Sequence, residues 1–174
     1  MVLEKYNLTL DSDEGSVDIS LINTFEDKIG YKLPETYKKL LSQHNALSIE
    51  ESCFEFINYK EEKDIGAVFF EGFGEIPYER IEDSNKDFQS PDFYGEKELI
   101  VFGSSGNGDI VCFDYRKKST SNTPEIAYIY HEKFEELPDG RVRNVINHVA
   151  NSFEDFLGIL FRYEDKYDDY GNPL

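Results

Sequence analysis

Apolar side chains recur every three or four positions across residues 18–30, at Ile19, Ile22, Phe25 and Ile29, which predicts an amphipathic helix with one face against a core. Asp18 suits its N-cap and Gly30 the left-handed position just past its end. Tyr31-Lys-Leu-Pro34 follows, and Pro34 fits the first turn of a second helix carrying Tyr37, Leu40, Leu41 and His44 on one side. The two helices are expected to pair as a hairpin on the elements that come next.

From residue 51 the pattern changes to short β-prone runs at 53–57, 67–70, 99–102, 110–113 and 126–130. Five such runs separated by turns predict a mostly antiparallel sheet. Gly103-Ser-Ser-Gly-Asn-Gly-Asp109 has the Gly and Asn content to close a hairpin between the third and fourth runs, and residues 117–124 read as a solvated loop. Residues 78–88 offer a helical turn or two before Pro91 interrupts. Ser152-Phe-Glu-Asp155 has capping-box spacing, and Phe153, Phe156, Leu157, Leu160 and Phe161 then form one apolar face. The expected fold is α+β in a single domain: two N-terminal helices, a sheet of about five strands and a C-terminal helix packed on it. Residues 1–17 read as a polar lead-in, 18–162 as the domain, and 163–174 as an acidic tail that frays or projects.

Composition supports one core. At 174 residues, with 39% hydrophobic and 15% aromatic content, folding removes about 70% of the unfolded surface from water. No segment approaches the ~18 apolar residues of a membrane span and the N-terminus lacks a leader pattern, so a cytoplasmic protein is expected. Cys53 and Cys112 sit in apolar runs and read as reduced core thiols, with a disulfide the alternative.

The net charge of −18 is uneven, and residues 61–98 hold 12 acidic against 4 basic side chains. A field of this sign disfavours nucleic acid and anionic membrane and attracts basic partners. Plain solubility accounts for the acidity equally well.

Catalytic patterns fail on spacing. The glycine-rich loop lacks the Gly-Lys-Ser/Thr ending of a phosphate-binding loop, since Gly108 precedes Asp109 and a strand. Gly103-Ser-Ser-Gly-Asn107 is no nucleophile elbow, because it ends in the wrong residue and leads into another β run. His44, His131 and His148 have no partner at metal-ligand spacing, so no catalytic, cofactor or metal residue is assigned. The basic residues are too few and too scattered for a nucleic-acid groove.

Three segments in this order resemble the SUKH superfamily of fungal cell-wall regulators and bacterial immunity proteins. They are the helix–Leu-Pro–helix opening from Ile29 to Leu41, the loop Gly106-Asn-Gly-Asp109 running into Val111-Cys-Phe-Asp-Tyr115, and Val149-Ala-Asn-Ser-Phe-Glu-Asp-Phe-Leu157. The chain departs from the family where Asn45-Ala-Leu-Ser48 stands in place of the usual glycines after the helix-ending Asn. The resemblance implies a binding protein, not an enzyme. On the bacterial branch it implies an immunity protein that covers the basic surface of a cognate toxin, a nuclease being favoured by the charge; on the fungal branch it implies a regulatory adaptor for an endogenous cytoplasmic partner. The expected contact residues are the acidic Glu71, Glu75, Glu79, Glu82, Asp83, Asp87 and Asp92, with Phe73, Tyr78 and Tyr94 as aromatic anchors.

Overall fold

The computed structural model describes residues 1–92 and 94–174. Its centre is an antiparallel five-stranded sheet in the order β5 (Phe69–Phe70), β6 (Leu99–Ser104), β7 (Ile110–Asp114), β8 (Glu125–Glu136) and β9 (Val142–Ala150). The continuous apolar runs seen in the sequence reflect burial on both faces. Ile100, Phe102, Val111, Phe113, Ile126 and Tyr128 face the main core, while Leu99, Val101, Cys112 and Ile129 face a second, smaller one. The β8–β9 hairpin continues past the paired part of β7, which leaves Phe134 and Val142 exposed.

The main core is closed by α2 (Ile19–Ile29), α3 (Glu35–Leu41) and α5 (Phe153–Ile159), which match the expected helices. Local chemistry sets their ends. Asp18 accepts from the Ser20 N–H at 2.9 Å, Gly30 takes φ 77° where α2 stops, and Ser152 Oγ accepts from the Asp155 N–H at 3.0 Å. Aromatic edges and faces fill the space between them: Tyr37 meets Phe113 at 5.0 Å and Phe153 at 5.3 Å, and Phe102 stacks on Phe113 at 4.3 Å.

The second core lies beneath α4 (Ile81–Gln89), a longer element than the turn or two expected for this segment. Phe88 fills the space below it, and Asn85, 2% exposed, joins it to the sheet. Asn85 Nδ2 donates to the Val101 carbonyl at 2.9 Å and Oδ1 accepts from the Val101 N–H at 2.8 Å. Strand β5 pairs only with Gly103 and Ser104, so the Asn85 amide satisfies the stretch of β6 that β5 leaves open.

Three expectations are corrected. The run 53–57 is not part of the main sheet: β3 (Cys53–Ile57) pairs with β4 (Lys63–Ala67) as a separate hairpin, with Phe54 and Phe56 set against Tyr128. The apolar side chains of β3 are used to cover the sheet, not to extend it. Residues 1–17 are not merely a polar lead-in: they form α1 (Val2–Lys5) and β1 (Leu10–Ser12), bury Val2, Leu3, Leu8 and Val17 in the core, and pair β1 with β2 (Ser48–Ile49). Nor does the tail fray. Helix α5 stops at Ile159, so Phe161 leaves the predicted helical face and bridges Cys53 through backbone hydrogen bonds of 2.9 and 3.0 Å. A short 3-10 turn at Tyr163–Asp165 then seats Tyr167, whose hydroxyl donates to Glu55 Oε1 at 2.7 Å. Cys53 and Cys112 are free thiols, the second fully buried. Among the described residues, no helix is long and apolar enough to cross a membrane.

Candidate functional site

The acidic segment after β5 is held in place by side-chain amides. Asn45, buried at the end of the turn after α3, donates from Nδ2 to the Phe73 carbonyl at 3.0 Å and accepts the Phe73 N–H on Oδ1 at 2.8 Å. This clamp draws Phe73 into the main core, edge-on to Phe25 at 5.4 Å. Ala46 beside it sits at φ 48°, the left-handed turn for which glycine is the easier residue. Downstream, α4 presents Asp83 and Asp87 to solvent four residues apart, and both are exposed.

The expected contact residues therefore divide. Glu75, Tyr78, Glu79, Asp83, Asp87 and Asp92 are exposed, Tyr78 at 60%. Glu71 and Phe73 are buried, at 6% and 2%, so Phe73 is a core residue and no free anchor. Tyr94 is half-buried against Phe88, 4.6 Å away in the lower core. Glu82 is also half-buried, and its Oε2 has no hydrogen-bond partner. Of the three aromatic candidates only Tyr78 is left in solvent. Phe69, not singled out by sequence, is exposed at 46%.

Tyr78 and Glu79 stand across from the loop that follows β6, with a groove of about 560 Å³ between them. Leu47, Phe69 and Phe70 give it an apolar lining and Glu71 and Glu79 its charge. Among the described residues lining it there is no Lys, Arg or His. Burial pushes the Glu71 carboxyl up to about 7; the Ser84 hydroxyl opposes this and the charge on Glu79 adds to it. Glu71 Oε2 has no hydrogen-bond partner. The cleft between α2 and α4 has the opposite character, with Lys28, Lys86 and Lys97 among its lining residues.

The Gly-Asn-Gly-Asp loop is a structural device. Asp109, buried, accepts from the His131 N–H at 3.0 Å, from His131 Nδ1 at 2.8 Å and from Asn107 Nδ2 at 2.9 Å. Burial works against the Asp109 charge, but these hydrogen bonds outweigh it and hold its pKa below the ordinary value; Asp109 in turn raises that of His131. Gly108 sits at φ 92°, where a Cβ would come within 3.4 Å of the His131 ring. Ser105 Oγ is engaged by Asn107, the Asp109 carbonyl and Tyr128, so this corner holds a loop and presents no Ser–His nucleophilic pair among its hydrogen bonds. No group of three or more His, Cys, Asp or Glu side chains comes together as a metal site among the described residues.

The asparagine clamps and the His131–Asp109 pair carried no signal in the sequence, because each joins residues far apart along the chain. A family model described as the SMI1 / KNR4 family (SUKH-1) matches residues 16–159. No curated protein matches the chain.

Proposed function

The chain belongs to the SMI1 / KNR4 family (SUKH-1), whose members are generally non-enzymatic immunity or regulatory proteins that bind other proteins; from that premise we propose that it is an immunity protein. It binds a cognate basic toxin, with a nuclease as the favoured class, in the cytoplasm of the cell that makes both, and covers the toxin's substrate-binding surface. The observation that carries this reading is the set of exposed carboxylates Glu75, Glu79, Asp83, Asp87 and Asp92, joined to the exposed aromatic ring of Tyr78. A toxin that handles a polyanion must present cationic surface, and a complementary acidic face speeds encounter, up to roughly 10⁸–10⁹ M⁻¹s⁻¹ at low salt.

The test is co-expression with the product of the neighbouring reading frame, followed by co-purification and an activity assay on that product. Binding with inhibition at roughly micromolar concentration supports the reading. Reversal of Glu75, Glu79 and Asp83 to Lys is expected to slow association by about tenfold and to flatten its salt dependence. Failure to bind or inhibit the neighbouring product sinks the immunity role, and capture of an endogenous regulatory partner in its place points to an adaptor.

A further inference from the structure

Resting on the reading that the partner is a basic protein, we propose that the groove between Tyr78–Glu79 and the loop after β6 receives one arginine side chain of that partner. Glu71 and Glu79 supply the counter-charge, and Tyr78 and Phe69 the aromatic surface for the guanidinium and its stem.

Four features of the groove converge on this occupant. Its volume of about 560 Å³ lies in the range of sites that enclose a ligand group. Its charged lining is carboxylate only among the described residues, so its field selects a cation. Its exposed rings are large and unpartnered, and guanidinium stacks on such faces while remaining charged at any physiological pH. Finally, Glu71 is 6% exposed and its Oε2 lacks a hydrogen-bond partner, an arrangement that disfavours the ionised form in the free protein. A guanidinium brings positive charge and further donors to a carboxyl that has only the Ser84 hydroxyl on one side and nothing on Oε2.

Glu71 is faced by Glu79 from the groove rim, Ser84 from α4, Tyr37 from α3 and Cys112 from β7. The nearby cation, Arg80, is bridged through its backbone to Gly72 and directs its Nε to Asp83 at 3.4 Å and Glu82 at 3.9 Å, away from Glu71 as an ion-pair partner. Seating a cation therefore expels the Glu71 proton, and affinity should strengthen as pH rises through about 7, with a loss approaching tenfold per pH unit on the acid side.

The experiment uses the isolated full-length chain, labelled for amide NMR at low salt, with N-acetyl-L-arginine amide as probe and its neutral isostere N-acetyl-L-citrulline amide as control. Expected are saturable shifts at Leu47, Phe70, Tyr78 and Ser105 in the roughly millimolar range with the arginine probe alone. They should weaken at least tenfold in Glu71→Gln and also in Tyr78→Ala, whose exposed ring the fold does not need. An equal response to citrulline overturns the proposal, as do arginine shifts that lie elsewhere or survive both substitutions. Because no toxin is present, the outcomes separate. Toxin binding with an unresponsive groove overturns the groove alone, whereas an arginine-binding groove in a chain that ignores the neighbouring product overturns only the immunity reading.

Discussion

Replacing Asn85 by Ala removes the polar link between α4 and the sheet, and its effect can be worked from three distances. Asn85 donates to the carbonyls of Ile81 at 2.8 Å and Val101 at 2.9 Å and accepts the Val101 N–H at 2.8 Å. In Asn85→Ala, Val101 keeps neither partner, because β5 ends its pairing at Gly103. Each of the two buried orphans costs about 1–3 kcal/mol, and the better helix propensity of Ala returns about 0.5 kcal/mol, so a net loss of about 1.5–5.5 kcal/mol is expected. With a urea slope of about 2 kcal/mol/M for a domain of this size, the unfolding midpoint should fall by about 1–3 M. Asn85→Asp keeps an acceptor for the Val101 N–H but turns a lone pair toward the Val101 carbonyl. It should be destabilised as strongly at neutral pH and partly recover in mild acid, where the protonated carboxyl can donate. Urea titrations at two pH values read both effects, and amide exchange at Val101 reports the site directly. A midpoint shift below about 0.3 M for Asn85→Ala, with Val101 exchange unchanged, would refute the view that this side chain replaces a strand.

Glu71 makes the opposite prediction for stability. Its folded pKa of about 7 lies above the ordinary 4.5, so its contribution is present in full below about 4.5 and is lost as pH rises through about 7. Glu71→Gln should therefore be more stable than the parent at pH 8 by about 3 kcal/mol, with the difference vanishing near pH 4 in chemical denaturation; a less stable variant at pH 8 contradicts the burial argument. Ala46→Gly relieves a left-handed alanine worth about 1–2 kcal/mol, against about 0.4–1 kcal/mol of added unfolded-state freedom, so calorimetry should show Tm rising by about 1–3 °C. His131 should titrate above 6.5 by NMR, and Asp109→Asn should return it to the ordinary range; an unchanged midpoint places the cause elsewhere.

What was legible in the sequence was chemistry completed within a few residues. Asp18 and Ser152 cap helices through N–H groups two and three positions on, and the apolar runs that became β6, β7 and β8 declare themselves by composition. Strand β9 did not, because Arg143, Asn144, Asn147 and His148 interrupt its apolar positions and its pairing is fixed by β8. The two chain ends are hard to read from sequence for a related reason. Thr9, Glu51 and Arg162 hydrogen-bond to one another across the fold, with Arg162 Nε to Glu51 Oε1 at 2.8 Å and Arg162 Nη2 to Thr9 Oγ1 at 3.1 Å, so polar residues near the termini fasten distant segments together at the surface. At the candidate site the acidic excess was visible, but not which members face water. That choice falls to Asn45, which turns Phe73 inward, and to the ordering of α4, which leaves Asp83 and Asp87 outside.

The Asn85 amide also bears on how the chain behaves in a crowded solution. Leu99-Ile-Val-Phe102 is short, β-prone and uncharged, the composition that recruits strands from other molecules when its edge is open. In the native fold that edge is occupied at Val101 by a side chain carried on α4. Conditions that loosen α4 while sparing the sheet should then favour self-association over reversible unfolding. Aggregation rate would track the seating of one asparagine more closely than it tracks global stability.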